Sequence, residues 1–528
     1  MIHPVCIRRA FPPGAAAWFC LAVGLVVAGI TGVRAQVPVP PTWRVDASLY
    51  PKAYGVIADD RLMHPADVSN WPLKIDSSRQ LFVDDELVAS LAGVTRRVNS
   101  PRKHPRNPLV GPDRPWEGDD CFFQTVLRDE RSGRFRMWYS GRPKQLLESG
   151  KRADWPTCYA ESADGIHWDK PVLRLHAIGG SRENNVVIPD GSVFGLMHRP
   201  DEPDPRLRFR ALALRFQNQP GEGYFLYASE DGIHWTMERE RAVLPSLHGY
   251  RLPANGIGDT SSFRWDPRLR KYIGDVKFVL PPKMRVRALM ESDDLIHWTR
   301  PRMTIYPDAL DEPKAQIYGH HGFIYESMWI GMIRVMHDDL IADSYKQTTI
   351  ELTASRDGRN WSRVADRAQF IPLGRPDEWD PHYHDAFTSP ITVGDELWIY
   401  YRSQPLWKDM HDKISRIGLA ILRRDGFVSL EAQDQDGFVV TRPLTFAGRT
   451  LFVNADVAET GSLTAEVQDQ TGKPLTAYAF DRSVPVTGDR TKTPVRWVGK
   501  ENIERDSSES LRLSFRLRKA KLYSFWIE

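Results

Sequence analysis

The chain has 528 residues, 71 basic against 68 acidic, with 17 Trp, 17 Tyr and 22 Phe from which to build a large core. Length alone fits two or three domains, or one long all-β fold with an appendage. The charge balance excludes the basic field on which nucleic-acid binding depends.

Arg8 and Arg9 precede an apolar run from about Ala15 to Ile30, and Val33-Arg34-Ala35 offers small residues around a cleavage point before Gln36. Residues 1–35 therefore read as a secretory signal peptide, and the run is short and Gly/Ala-rich for a membrane span; an uncleaved anchor is the alternative. The expected destination is secretion or the periplasm, with no membrane contact after cleavage. The segment holds three arginines and no acid, so the mature chain carries 68 charges of each sign. Cys6 and Cys20 leave with it. Cys121 and Cys158 fall on the first and third strands of one unit, roughly 9–10 Å apart across an intervening strand, too far to bridge. Residues 36–74 form a Pro-rich extended lead-in.

From residue 75 the text becomes periodic. The phrase SADGIHW at 162 returns as SEDGIHW at 229, SDDLIHW at 292 and SRDGRNW at 355, at spacings of 67, 63 and 63 residues. Such a period marks a repeated structural unit. Each phrase follows the same script: a polar residue opens a strand, a turn follows, and a second aromatic-rich strand ends near a basic residue. Asp120 opens CFFQTVL and FRMWYSGR ends at Arg142. Asp190 precedes the next first strand, VFGLMH, and FRALALRF carries Arg215. Asp259 opens TSSFRW and KYIGDVKF carries Lys277. His320 opens HGFIY and MWIGMIRV carries Arg334. Asp385 opens AFTSPITV and ELWIYYRS carries Arg402. In the fifth unit IGLAILRRDGFVSL stands where the phrase belongs, its Asp425 lying 68 residues after Asp357. Aromatic and branched runs punctuated by Gly, Asp and Pro read as antiparallel strands. Five units of four strands predict a five-bladed β-propeller over 75–429, with IDSSRQLFVDDELV (75–88) supplying the strand that closes the ring.

The phrase itself is explained as a turn. Its Ser and Asp accept backbone N–H groups, its Gly takes a left-handed conformation, and its Trp fills an interface between units. It is similar to the Asp-box of sialidases, one residue shorter before the Gly. Beyond the fifth unit, VVTRPLTF, TLFVNADV, LTAEVQDQ, PVRWVG, LRLSFRLR and KLYSFWIE predict a β-sandwich over 430–528 that braces the propeller.

In a propeller the start of each first strand and the end of each second strand share one face. That register sets Asp120, Asp190, Asp259, His320 and Asp385 around one channel mouth, together with Arg142, Arg215, Lys277, Arg334 and Arg402. Glu326, in the turn between first and second strands, falls on the opposite face. Convergent carboxylates ringed by cations suit acid–base chemistry. With LFVDDELV near its start and IGLAILRRDGFVSL closing the fifth unit, the chain resembles the five-bladed propeller glycosidases of families 32 and 43 and their secreted bacterial relatives. The resemblance spans about 75–528, and it implies a glycoside hydrolase acting on a poly- or oligosaccharide. The fructosidase signatures W-x-N-D-P-N-G, R-D-P and E-C are absent, which argues against fructan and against direct transfer of catalytic positions.

Glycoside cleavage needs one carboxyl to protonate the leaving oxygen and a second to attack or to activate water. Asp120, Asp259 and Asp385 are the best trio by register, with Asp119, Asp380 and His384 as near substitutes. Arg142, Lys277, His320, Arg334, Asp380, His384 and Arg402 are the expected substrate-binding residues. The cations either pair with neighbouring acids or read anionic sugars, whose carboxylate or sulfate groups match the Arg fork. No cofactor is expected. A divalent metal would draw on His320 or His321 with His382, His384 or Asp385. Two other readings stand beside the hydrolase, a non-catalytic carbohydrate-binding propeller and a glycoside phosphorylase. Oligomeric state is left open.

Overall fold

The computed structural model describes residues 72–143, 155–215, 223–245, 257–280, 284–337, 347–386, 388–404, 414–504 and 509–528. The expected signal peptide and nearly all of the lead-in lie outside them. Among the described residues the chain is almost wholly β, its helical segments being single 3-10 turns such as Pro115–Glu117 and Pro205–Leu207. No helix among the described residues is long and apolar enough to cross a membrane.

Five antiparallel meanders follow one another. The first runs Phe122–Arg128, Phe135–Ser140, Thr157–Ser162 and Val186–Ile188. The second is built on Ser192–His198, Phe209–Arg215 and Gly223–Ser229, and the third on Ser262–Asp266, Lys271–Leu280, Met284–Ser292 and Arg302–Ile305. The fourth comprises Gln316–Tyr325, Met328–His337, Gln347–Ser355 and Ser362–Arg363. The fifth comprises Tyr383–Asp385, Glu396–Gln404 and Arg416–Arg423, and a parallel pairing of Thr348 with Tyr383 joins it to the fourth. Strands such as Ser192–His198 and Met328–His337 are buried on both faces along almost their whole length. They therefore read as continuous apolar runs, as sheets covered on both sides do.

Side-chain hydroxyls tie each meander to the next. Thr157 donates to the Gly191 carbonyl, Tyr224 to Gly258 (2.8 Å), Ser262 to His320 (2.9 Å) and Thr348 to His384 (2.9 Å). Thr388 then donates to Val126 (3.2 Å), from the fifth meander back to the first. The repeated turns form as their chemistry requires. Ser162 Oγ accepts from the Gly165 N–H, Asp164 Oδ1 accepts from the Ile166 and His167 N–H groups, and Trp168 Nε1 donates to the Gly165 carbonyl. Gly165, Gly232 and Gly358 stand at φ near +70° there, and Leu295 takes the same conformation in the third copy, with its side chain wholly buried. The turns also fasten neighbours: Tyr400 donates to the Gly165 carbonyl and Trp138 to that of Gly232, both at 2.7 Å. Cys121 and Cys158 are free and buried.

Contrary to the expectation from sequence, the segment 75–88 does not pair with the last meander. Gln80–Leu81 pairs with Leu511–Ile527, and Val88–Ala92 pairs with Gly437–Thr441, so both belong to a ten-stranded sheet otherwise built mainly from C-terminal residues. The strand that joins the last meander from the N-terminal side is Arg102–Lys103, paired with Ala420 and Ile421. The reason lies in the apolar pattern of LFV. Phe82 enters the core of the C-terminal sheet, while Leu81 and Val83 enter the core of the fourth and fifth meanders. A segment apolar on both faces serves a junction between two cores. The spine of that sheet is the pairing of two long strands, Leu451–Asp469 and Leu511–Ile527.

One buried carboxylate pins the junction. Asp425, at φ +62°, accepts from Arg79 (2.6 Å), Tyr325 (2.7 Å), Asn454 (2.9 Å) and Ser524 (2.6 Å). The Arg79 guanidinium also lies 4.0 Å from the Trp526 ring centroid. Glu326 accepts from the Arg79 backbone and from Arg424, so it too serves this junction. Removing one member of a buried ion pair strands the other. Arg79→Met is expected to lower unfolding free energy by about 3–5 kcal/mol in urea titrations. Asp425→Asn, which tolerates the left-handed backbone, isolates the loss of charge.

Candidate functional site

Asp120 reaches its position through a glycine. Gly118 sits at φ +65° after the Pro115–Glu117 turn, and a Cβ there would lie 2.2 Å from the Arg142 carbonyl oxygen. This close approach brings Asp119 and Asp120 beside the Arg142 guanidinium, at 3.8 and 3.6 Å. Asp385, at the end of its strand, lies between Arg334 and Arg402. Arg402 links the two acids. Its Nη2 is 3.4 Å from Asp120 and donates to Ser415 Oγ at 2.7 Å, while its Nη1 is 3.6 Å from Asp385. Asp259 is paired with Lys277.

Aromatic rings underlie these charges. Tyr318 has Lys277 at 4.8 Å, Arg285 at 4.9 Å and Arg334 at 4.2 Å from its ring centroid. Tyr383 lies beneath Arg334 and Arg402, and Phe122 beneath Arg402. Cations over ring faces are favourable, the more so when desolvated. Asp120 and Asp385 are only 3% and 1% exposed. Burial pushes the Asp385 carboxyl above its ordinary value, against the pull of Arg334 and Arg402. A gap too narrow for water lies between Arg334, Asp385, His320 and Ile350. Two larger hollows, of about 850 and 1050 Å³, open elsewhere, where the C-terminal sheet meets the meanders.

The structure thus gathers Asp120, Asp259, Asp385, Arg142, Lys277, Arg334 and Arg402, together with Asp119. Asp190 and Arg215 form a pair of their own at 2.9 Å. Asp380 and His384 lie in a separate buried network, and His320, which borders the gap beside Asp385, turns both ring nitrogens to other partners. His320 is bonded to Asp275 through Nδ1 and to Thr353 through Nε2 (2.9 Å), and Asp275 in turn holds Arg287 at 2.7 Å. Burial keeps His320 below its ordinary value despite Asp275. Asp380 accepts from Tyr401 (2.7 Å) and pairs with Lys103 (2.7 Å), with His384 Nε2 at 3.5 Å. His320 and His384 have both ring nitrogens engaged by protein groups. Among the described residues no three His, Cys, Asp or Glu side chains assemble as a metal site.

Sequence reasoning missed Tyr318, Tyr383 and Arg285. Tyr383 stands two residues before Asp385, so the alternation of side chains along a strand signalled it, whereas a register shift between Ile317 and Gly319 breaks that alternation at Tyr318. Arg285 lies near the start of a third strand, and only the starts of first strands and the ends of second strands drew attention.

No protein-family model and no curated protein matches the chain. Solved structures of similar fold include an N-acetylgalactosamine deacetylase from F. plautii, 15% identical over 64% of this chain and 97% of that one, with a TM-score of 0.42. A thermostable family-43 glycoside hydrolase is 12% identical over 63% of this chain and 96% of that one, with a TM-score of 0.42. A family-32 β-fructofuranosidase from Bombyx mori is 10% identical over 81% of this chain and 95% of that one, with a TM-score of 0.39. At TM-scores of 0.39 to 0.42 these likenesses carry no activity and no residue role to this chain.

The Asp380 network makes a pH prediction. Burial works against the ionised carboxyl, but hydrogen bonds from His384, Lys103 and Tyr401 outweigh it and hold the group down to about 2. A carboxyl depressed in the folded state contributes stability above its unfolded value, and loses it as pH falls through the folded one. Asp380→Asn is expected to cost roughly 2 kcal/mol at neutral pH, a difference that shrinks between about pH 4 and 2 in denaturant titrations.

Proposed function

We propose that the protein is an exported carbohydrate-active five-bladed β-propeller, braced by a C-terminal β-sandwich, and that it hydrolyses glycosidic bonds at the Asp120–Asp385 pair. The five meanders and the hydroxyl ties running from the fifth back to the first support the propeller reading. The observation that carries the chemistry is the sharing of one guanidinium by two carboxylates. Arg402 bridges Asp120 and Asp385, which bounds their separation at roughly 9–10 Å, no wider than about the longest span at which two carboxyls flank a scissile bond. Asp385, whose carboxyl burial pushes up, is the proton donor to the leaving oxygen. Asp120, nearer the more exposed Asp119 and Arg142, is the base for the attacking water. Asp259 and its partner Lys277 orient a sugar hydroxyl, and the Tyr318 and Tyr383 rings offer apolar faces to a pyranose.

One observation favours a second reading, a carbohydrate-binding propeller without catalysis. Both acids are buried and held by arginines, as structural ion pairs are. Product release decides between the two. Purified protein incubated with neutral and acidic polysaccharides is expected to liberate reducing ends, with and without added phosphate. Asp120→Asn and Asp385→Asn are each expected to lower the rate about 10²- to 10⁴-fold while retaining a cooperative thermal transition. Glycan retention on an affinity gel with no release from any substrate would establish the binding reading instead.

A further inference from the structure

The mouth cluster holds one cation more than its acids balance. Arg142 faces Asp119 and Asp120, Lys277 faces Asp259, Arg334 faces Asp385, and Arg402 faces Asp120 and Asp385. Arg285 shares the Tyr318 ring with Lys277 and Arg334, yet among the described residues no carboxylate lies within ion-pair distance of it. Its Nη1 donates to the neutral Gln316 side chain, and its buried Nε has no hydrogen-bond partner. The residue is only 9% exposed.

A guanidinium is always charged, and burying it without a counter-charge is costly. Arg287, two residues along the same strand, shows how the fold compensates a buried arginine: Asp275 engages it at 2.7 Å and its remaining nitrogens reach backbone carbonyls. Arg285 receives no such carboxylate. Its planar fork, the neutral amide of Gln316 and the ring of Tyr318 are the parts of an oxyanion subsite beside a sugar-binding face.

We infer that Arg285 receives an oxyanion carried by the glycan, a uronate carboxylate or a sulfate ester, and that the protein selects acidic over neutral polysaccharides. This rests on the carbohydrate-active reading above and names its substrate class. The ring face of Tyr318 packs against the sugar while Arg285 reads its acidic substituent. The neighbouring Lys277 and Arg334 remain engaged by their own acids, so the added selectivity belongs to Arg285.

The test measures binding of the protein to polygalacturonate, which bears only carboxylates, to κ-carrageenan, which bears only sulfates, and to neutral dextran, by titration at one fixed ionic strength. Retention of either acidic polymer and not of dextran is expected, and the polymer retained tells carboxylate from sulfate. Arg285→Met is expected to weaken that binding about 10- to 100-fold, as loss of a charge-assisted hydrogen bond does, with Arg285→Lys intermediate. Equal or stronger binding of dextran by the wild-type protein overturns the inference, as does a folded Arg285→Met variant that binds the acidic polymer like wild type. Should neither variant fold, the wild-type preference alone decides. The two readings fail separately: acidic binding without reducing-end release removes hydrolysis and leaves the subsite, while release from neutral polymers alone does the reverse.

Discussion

Arg402 holds two carboxylates that arrive from opposite ends of the repeated region. Asp120 precedes the first meander and Asp385 ends the opening strand of the fifth, so their common guanidinium ties the last meander to the first. The same seam carries the Arg102–Lys103 strand and the Thr388 tie to Val126. A buried carboxylate tolerates this place only while its cations stay, because an unpaired charge in a low-dielectric interior is costly. The seam between the first and last meanders and the candidate chemistry thus rest on one set of contacts.

The other charged centre, Asp425, works differently. It collects four donors from the N-terminal segment, the fourth meander and the C-terminal sheet, with neutral partners making three of the four bonds. Its role is to register one core against another, as the division of Leu81, Phe82 and Val83 between two apolar clusters also does. The mouth is rich in paired cations over aromatic faces, while the junction is mostly polar bonds around one acid.

Much of this was legible beforehand. The SADGIHW phrase located the end of each third strand, since Ser162, Ser229, Ser292 and Ser355 all close one. Reading strand openings against second-strand ends brought Asp120, Asp259 and Asp385 together with Arg142, Lys277, Arg334 and Arg402. The same reading did not foresee that the His320 side chain turns to Asp275 on the neighbouring meander, or that Asp380 and His384 turn to Lys103 and Tyr401. Adjacent residues of a strand face opposite sides. A one-residue difference in where a strand is taken to open therefore moves a side chain from the channel into a sheet interface.

By itself the sequence determined what local physics controls: strands from aromatic and branched runs, turns from Ser, Asp and Gly, the period, and the polar residues at strand ends. Tertiary structure alone decided which carboxylate met which cation. It seated Arg285 beside Tyr318 without an acid, sent Gln80–Leu81 to the C-terminal sheet and brought Arg102–Lys103 to the fifth meander. Those outcomes depend on contacts between residues hundreds of positions apart, such as Arg402 with Asp120. No pattern within a window of a few residues encodes the distance between such partners, because it is set by how whole sheets pack against each other.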